Sequence, residues 1–203
     1  ILQNLFNFDN WTIMNADSGV FNPGDMKADF VYMDAGGRYG MLAVMKEDNG
    51  NYFIAEMDWN AASYDQVPVY RYDLMHLPED QNGDVVNWAF GTAQINMAYY
   101  ATANEVKQFS VDAGQKIIPE TLKMTNNDPI IFEGEITMMK ILKPAILTDY
   151  YMSNVEMVIG TYGGTIGSGK LYSLELDPTS GRAKSVKSYS GFDRIYDVVL
   201  KVY

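Results

Sequence analysis

The chain has 203 residues, with 26 acidic and 15 basic side chains, a net charge of −11, no cysteine and one histidine. That balance excludes a nucleic-acid surface, which needs clustered Lys and Arg to displace counterions, and the missing cysteine excludes disulfides, thiolate metal sites and cysteine nucleophiles. The charge is uneven, because residues 1–100 carry 14 acidic and 4 basic side chains while 101–203 carry 12 and 11.

This length suits one large all-β domain with ample core. No run approaches the ~18 apolar residues of a membrane-crossing helix. The chain opens Ile1-Leu2-Gln3-Asn4, without an initiator Met or a signal peptide, and so reads as a mature or excised piece of something longer. Residues 1–25 read as an incoming extension, and Phe30-Val-Tyr32 as a partial strand. Met41-Leu-Ala-Val-Met45 and Tyr52-Phe-Ile-Ala-Glu-Met57 then flank Asn49-Gly50, a pair that tolerates the positive φ of a type I′ hairpin turn. Val67–Asp73 supplies a further strand. Asn96–Ala101 and Glu105–Val111 form a second hairpin around Thr102–Asn104. Ile130–Phe132 and Ile136–Leu142 read as strands, and Glu156–Tyr162 and Lys170–Leu176 as a third hairpin around a Gly-rich turn. Arg182–Tyr189 is a polar alternating strand of the kind that lies on a sheet edge, and Arg194–Val202 a last partial one.

Each outgoing hairpin strand ends at an aspartate followed by a turn: Asp58, Asp112 and Asp177, spaced 54 and 65 residues apart. An antiparallel unit repeating at that interval predicts a single all-β domain of propeller-like units, approximately 26–75, 86–124 and 130–203. Three units make a partial or small propeller. A β-sandwich, whose strands also alternate, is the alternative.

Two motifs imitate known sites and fail on their required positions. Gly164-Thr-Ile-Gly-Ser-Gly169-Lys170 has the spacing of a phosphate loop, but Leu171 and a strand follow where Ser or Thr and a helix are needed. Asp80-Gln-Asn82-Gly-Asp84 starts like a calcium loop, but Val85 and Gly91 stand where Gly and a bidentate Glu belong. His76 lacks a nucleophile elbow to serve and reads as a loop histidine. Asp34, Glu47, Asp58, Asp65, Asp84, Glu133 and Glu135 are candidates for an acid–base pair in glycoside cleavage, with a solvated acidic face as the plain reading. No catalytic residue, metal ligand or cofactor is assigned.

Loop-borne aromatics are the more informative feature. A sugar ring stacks its C–H face on such a plane while Asp and Asn take its hydroxyls. Propeller geometry places Asn49, Asn104 and Tyr162–Gly169 on one face with the His76–Trp88 loop, and Trp59, Tyr64 and Pro178–Gly181 on the other. The candidate ligand-binding residues are therefore Tyr162, Trp88, His76, Asp84, Asn49 and Asn104.

Glu156-Met-Val-Ile-Gly-Thr-Tyr-Gly-Gly164, Gly169–Gly181 and Tyr189–Lys201 together resemble the C-terminal end of the PKD-like lipoproteins of Bacteroides-type gut bacteria. The resemblance implies a propeller-like region of an envelope lipoprotein, at the outer-membrane surface or in the periplasm. Its tether would be a lipid anchor on an N-terminal segment absent from this sequence. It further implies an association with polysaccharide uptake, and no reaction. The resulting expectation is a non-catalytic binding or scaffold module that engages a glycan or an envelope protein. A glycan-active enzyme with a carboxylate pair and a protein–protein interaction domain are the rival readings.

Overall fold

The hairpin at Asn49-Gly50 forms, but not through the expected type I′ turn: Gly50 alone has a positive φ, and its N–H donates to the Glu47 carbonyl at 2.9 Å, so the turn spans residues 47–50. In the computed structural model, Gly50 has φ +89° and the Asn49 side-chain oxygen accepts the Asn51 N–H at 2.8 Å. The structure describes residues 7–14, 28–36, 40–58, 60–63, 66–75, 85–92, 95–111, 116–143 and 154–199.

The protein is all-β, built from antiparallel sheets of which none closes. The first sheet contains β1 (Trp11–Ile13), β2 (Ala28–Gly36), β3 (Gly40–Glu47), β4 (Tyr52–Asp58) and β5 (Val67–Leu74) in the order β1-β5-β4-β3-β2. Its one departure from antiparallel pairing within that order is β1, which runs parallel to β5. The second sheet contains β6 (Asn87–Thr92), β7 (Ile95–Ala101) and β8 (Val106–Ser110). Chain leaving β8 forms β9 (Lys116–Ile117), which pairs in parallel with β5, and then β10 (Glu120–Thr121), which returns to β8. The third sheet is the meander β11 (Glu135–Lys143), β12 (Val155–Tyr162), β13 (Gly169–Leu176) and β14 (Ala183–Phe192).

Side-chain alternation decides how the sheets stack, since successive residues of a strand face opposite sides. Trp88, Phe90, Ala98, Tyr100 and Phe109 of the second sheet pack on Leu42, Val44 and Ile54 of the first. Ala89, Tyr99, Ala101 and Val106, from its other face, pack on Met157, Ile159, Leu174 and Leu176 of the third. The second sheet is thus a middle layer with both faces buried. The outer face of the first sheet buries Met45, Phe53, Ala55 and Met57 with Trp11, whose ring makes an edge contact with Phe8 at 5.0 Å.

Two expected strands do not form. Ile130–Phe132 lies outside any strand, with Phe132 turned instead edge-on to the Tyr172 ring at 5.2 Å. Residues 194–199 also leave the sheet, and their backbone runs back across its face. Two of the three strand-ending aspartates have a local explanation. Asp58 accepts the N–H groups of Asn60 and Ala61, and Asp177 those of Thr179 and Ser180, so each replaces sheet partners with its own side chain at a turn. Asp112 lies outside the described residues. No helix among the described residues is long and apolar enough to cross a membrane.

Candidate functional site

The first strands of the three meanders, β2, β6 and β11, approach one another, with β6 touching both others. Their edges are joined where the Asn87 side-chain oxygen accepts the Met139 N–H at 3.0 Å. A cavity of about 420 Å³ opens there, within the range typical of small-ligand pockets. Tyr32 of β2, Trp88 and Phe90 of β6, and Met138 and Ile141 of β11 form its walls, and Tyr196 and Asp197 enclose it from the C-terminal side.

The aromatic wall is fixed by packing. Trp88 is only 7% exposed, with its ring 5.2 Å from Tyr100 and 5.8 Å from Tyr52. Phe90 meets Tyr32 nearly edge-on at 5.3 Å. Such tilted and edge contacts hold rings in place beyond what area burial alone contributes.

The opposite wall exists because two glycines let the C-terminal segment approach the third sheet. A Cβ on Gly169 would stand 2.1 Å from the Asp193 carbonyl oxygen, at the corner where the chain leaves β14. A Cβ on Gly160 would stand 3.0 Å from the Ile195 Cβ. Between these points the Thr137 hydroxyl donates to the Ile195 carbonyl at 2.7 Å, and the Gly167 N–H donates to the Asp193 carboxylate at 2.9 Å. Lys140 closes the strap by pairing with Asp197 at 2.8 Å. The Lys140 ammonium, followed by the Val198 N–H, holds the Asp197 carboxyl below its ordinary value of 3.8.

Arg194 stands at the outer rim of this strap. Its guanidinium carbon lies 5.6 Å from the centre of the Tyr196 ring and 6.0 Å from that of Tyr162.

Of the six residues singled out from sequence, Trp88 lines the cavity, but it does so from within a strand and from the core rather than from an exposed loop. Trp88 and Phe90 occupy alternate positions of β6, a strand that the sequence reading passed over. Tyr162 ends β12 and reaches the rim through Arg194. Asn49 and Asn104 sit at hairpin tips, where Asn49 closes its own turn and the Asn104 N–H donates to Thr102. His76 and Asp84 lie outside the described residues. Residues that sequence reasoning missed, namely Tyr32, Lys140, Arg194, Tyr196 and Asp197, carry no local motif. Lys140 and Asp197 are 57 positions apart and meet only through the fold.

Two of the candidate acid–base carboxylates, Glu47 and Glu133, are paired with cations. Glu47 pairs with Arg71 at 3.1 Å, and Asp73 joins the same guanidinium at 2.8 Å. Burial opposes the charge of Arg71, but these two carboxylates more than offset it and raise its pKa. Glu133 holds Lys170 at 2.5 Å. That pair also accounts for the lysine of the phosphate-loop imitation, whose Ser168 hydroxyl oxygen accepts the Gly163 and Thr165 N–H groups and so builds an ordinary hairpin loop. Glu135 lies on β11 opposite Tyr162. Asp65 lies outside the described residues, as does the 80–84 turn. Among the described residues no group of three or more His, Asp or Glu side chains is placed to hold a metal ion.

Comparison of the chain with family models, with curated proteins and with solved structures returned no match.

Proposed function

We propose that this chain is a non-catalytic binding module of a bacterial cell envelope, and that it takes a glycan in the cavity where β2, β6 and β11 meet. The observation that carries this reading is the make-up of that cavity. Tyr32, Trp88, Phe90 and the exposed Tyr196 line it together with the Lys140–Asp197 ion pair. Apolar planes suit the C–H faces of a sugar, and a few fixed polar groups suit its hydroxyls. Glu47 and Glu133, each committed to a cation, favour binding over acid–base chemistry. The envelope location rests on the resemblance of residues 156–201 to PKD-like lipoproteins.

The same junction favours a propeller-like arrangement over a sandwich. A sandwich packs two sheets face to face, whereas here a middle sheet buries both faces and its first strand touches the first strands of the other two, as neighbouring blades of a propeller would.

Affinity electrophoresis against a panel of neutral and acidic polysaccharides tests the reading. At least one glycan should retard the wild-type protein, and Tyr196→Ala, which alters an exposed rim ring, should remove that retardation. A wild-type protein that migrates unchanged through every glycan would refute the glycan assignment.

A further inference from the structure

Resting on the glycan reading, we infer that the ligand is an anionic glycan, one bearing carboxylate or sulfate groups, and that Arg194, beside the cavity-lining Tyr196, is the residue that selects it. The inference comes from comparing two arginines that both lie within cation–π reach of aromatic rings. The Arg71 guanidinium carbon lies 4.1 Å from the centre of the Phe53 ring, and its charge is answered by Glu47 and Asp73. Arg194 has its two rings, Tyr196 and Tyr162, but no carboxylate within ion-pairing distance among the described residues. A guanidinium near ring faces with no paired carboxylate keeps its N–H donors available, and its planar fork can bind a carboxylate or sulfate through two parallel hydrogen bonds.

Two of the surrounding acids are neutralised by lysines, Asp197 by Lys140 and Glu133 by Lys170, while Asp193 keeps its charge and is turned to the Gly167 N–H. The net charge of −11 comes mostly from residues 1–100, and residues 101–203 are nearly neutral. At physiological salt, charges beyond about 8 Å are largely screened, so the local guanidinium governs what the rim attracts. Tyr196 lines the cavity and also carries Arg194 on its ring. A sugar seated in the cavity therefore presents its acidic substituent, or that of the next residue along the chain, to Arg194.

Affinity electrophoresis of the full chain with polygalacturonate, dextran sulfate and uncharged dextran tests this. Retardation should be stronger in one or both acidic polymers than in dextran, and should weaken as salt rises. Polygalacturonate against dextran sulfate distinguishes a carboxylate from a sulfate ligand. Arg194→Gln should weaken binding to the acidic polymer roughly tenfold or more, as expected for loss of a charged hydrogen bond. Arg194→Lys, which keeps the charge and loses the planar fork, should recover only part of it. Unchanged acidic-polymer binding in Arg194→Gln, or equal retardation by dextran and the acidic polymers, would overturn the inference and leave the glycan reading standing. No retardation of the wild-type protein by these or any other glycan would overturn both.

Discussion

The two walls of the cavity are built by opposite means. The β6 wall holds Trp88 and Phe90 within a core shared by the first and second sheets, where burial and ring contacts fix them. The facing wall is a strap of chain, residues 193–199, laid over the third sheet by one hydroxyl–carbonyl bond, one N–H–carboxylate bond, one ion pair and two glycines that permit contact. Tyr196 on that strap is 76% exposed, against 7% for Trp88. The difference teaches that the aromatic residues here divide by setting: Trp88 is locked into the core, whereas Tyr196 lies on a weakly held, exposed strap.

Substitutions can break this contrast, and the largest effect belongs to the packed wall. Trp88→Ala should destabilise the protein by about 3–5 kcal/mol, the usual cost of truncating a buried Trp, measured by urea unfolding. A cost below about 1 kcal/mol would mean that the aromatic wall is not fixed by packing. Gly160→Leu should cost less, about 1–3 kcal/mol, because the added side chain meets Ile195 and Met138 and the strap can lift away. Its signature is local: hydrogen exchange should accelerate across 193–199 while β12 and β13 stay protected, and glycan retention should fall. Uniform loss of protection would show that strap and sheet unfold together.

Acid should act on the strap before it acts on the aromatic wall. The Asp197 carboxyl is lowered from 3.8 by Lys140 and the Val198 N–H, so the folded strap favours the anion. Its contribution is fully present above the ordinary value and disappears as pH falls through the lowered one. The Val198 amide signal in NMR should report this release below pH ~4, and Asp197→Asn should abolish the pH response. Asp177 is also lowered; burial opposes its charge, but the Ser180 and Thr179 N–H groups and Lys184 outweigh that. Acid should accordingly loosen the β13–β14 turn in a similar window, a response that Asp197→Asn leaves intact.

The smallest effect is expected in the middle sheet away from the cavity. Gln108 is 6% exposed, and its side-chain oxygen has no hydrogen-bond partner among the described residues. Gln108→Leu removes a buried acceptor that contributes no bond, so thermal stability should be unchanged or slightly raised. A drop equivalent to more than ~1 kcal/mol would mean that this oxygen is satisfied in solution.

Hairpins were legible in the sequence because their signals are local. Asn49-Gly50 encodes its turn, and alternation over Glu156–Tyr162 and Lys170–Leu176 encodes a half-buried pair. β6 was less legible, since Trp88-Ala-Phe-Gly after an acidic turn is short and its neighbours in the fold are distant in the chain. The reading of Arg194–Val202 as a strand had the right composition, but Gly160 and Gly169 offer the described part of it a sheet face to lie across.

The sequence by itself determined the all-β class, the antiparallel hairpins and the absence of cysteine chemistry, because each depends on residue type or on spacing within a few positions. Only the tertiary structure decided where the cavity lies. Stacking brings Tyr32, Trp88, Lys140 and Tyr196 to one cavity across more than 160 residues of chain, and strand alternation fixes which side chains each sheet faces but not which sheet lies opposite.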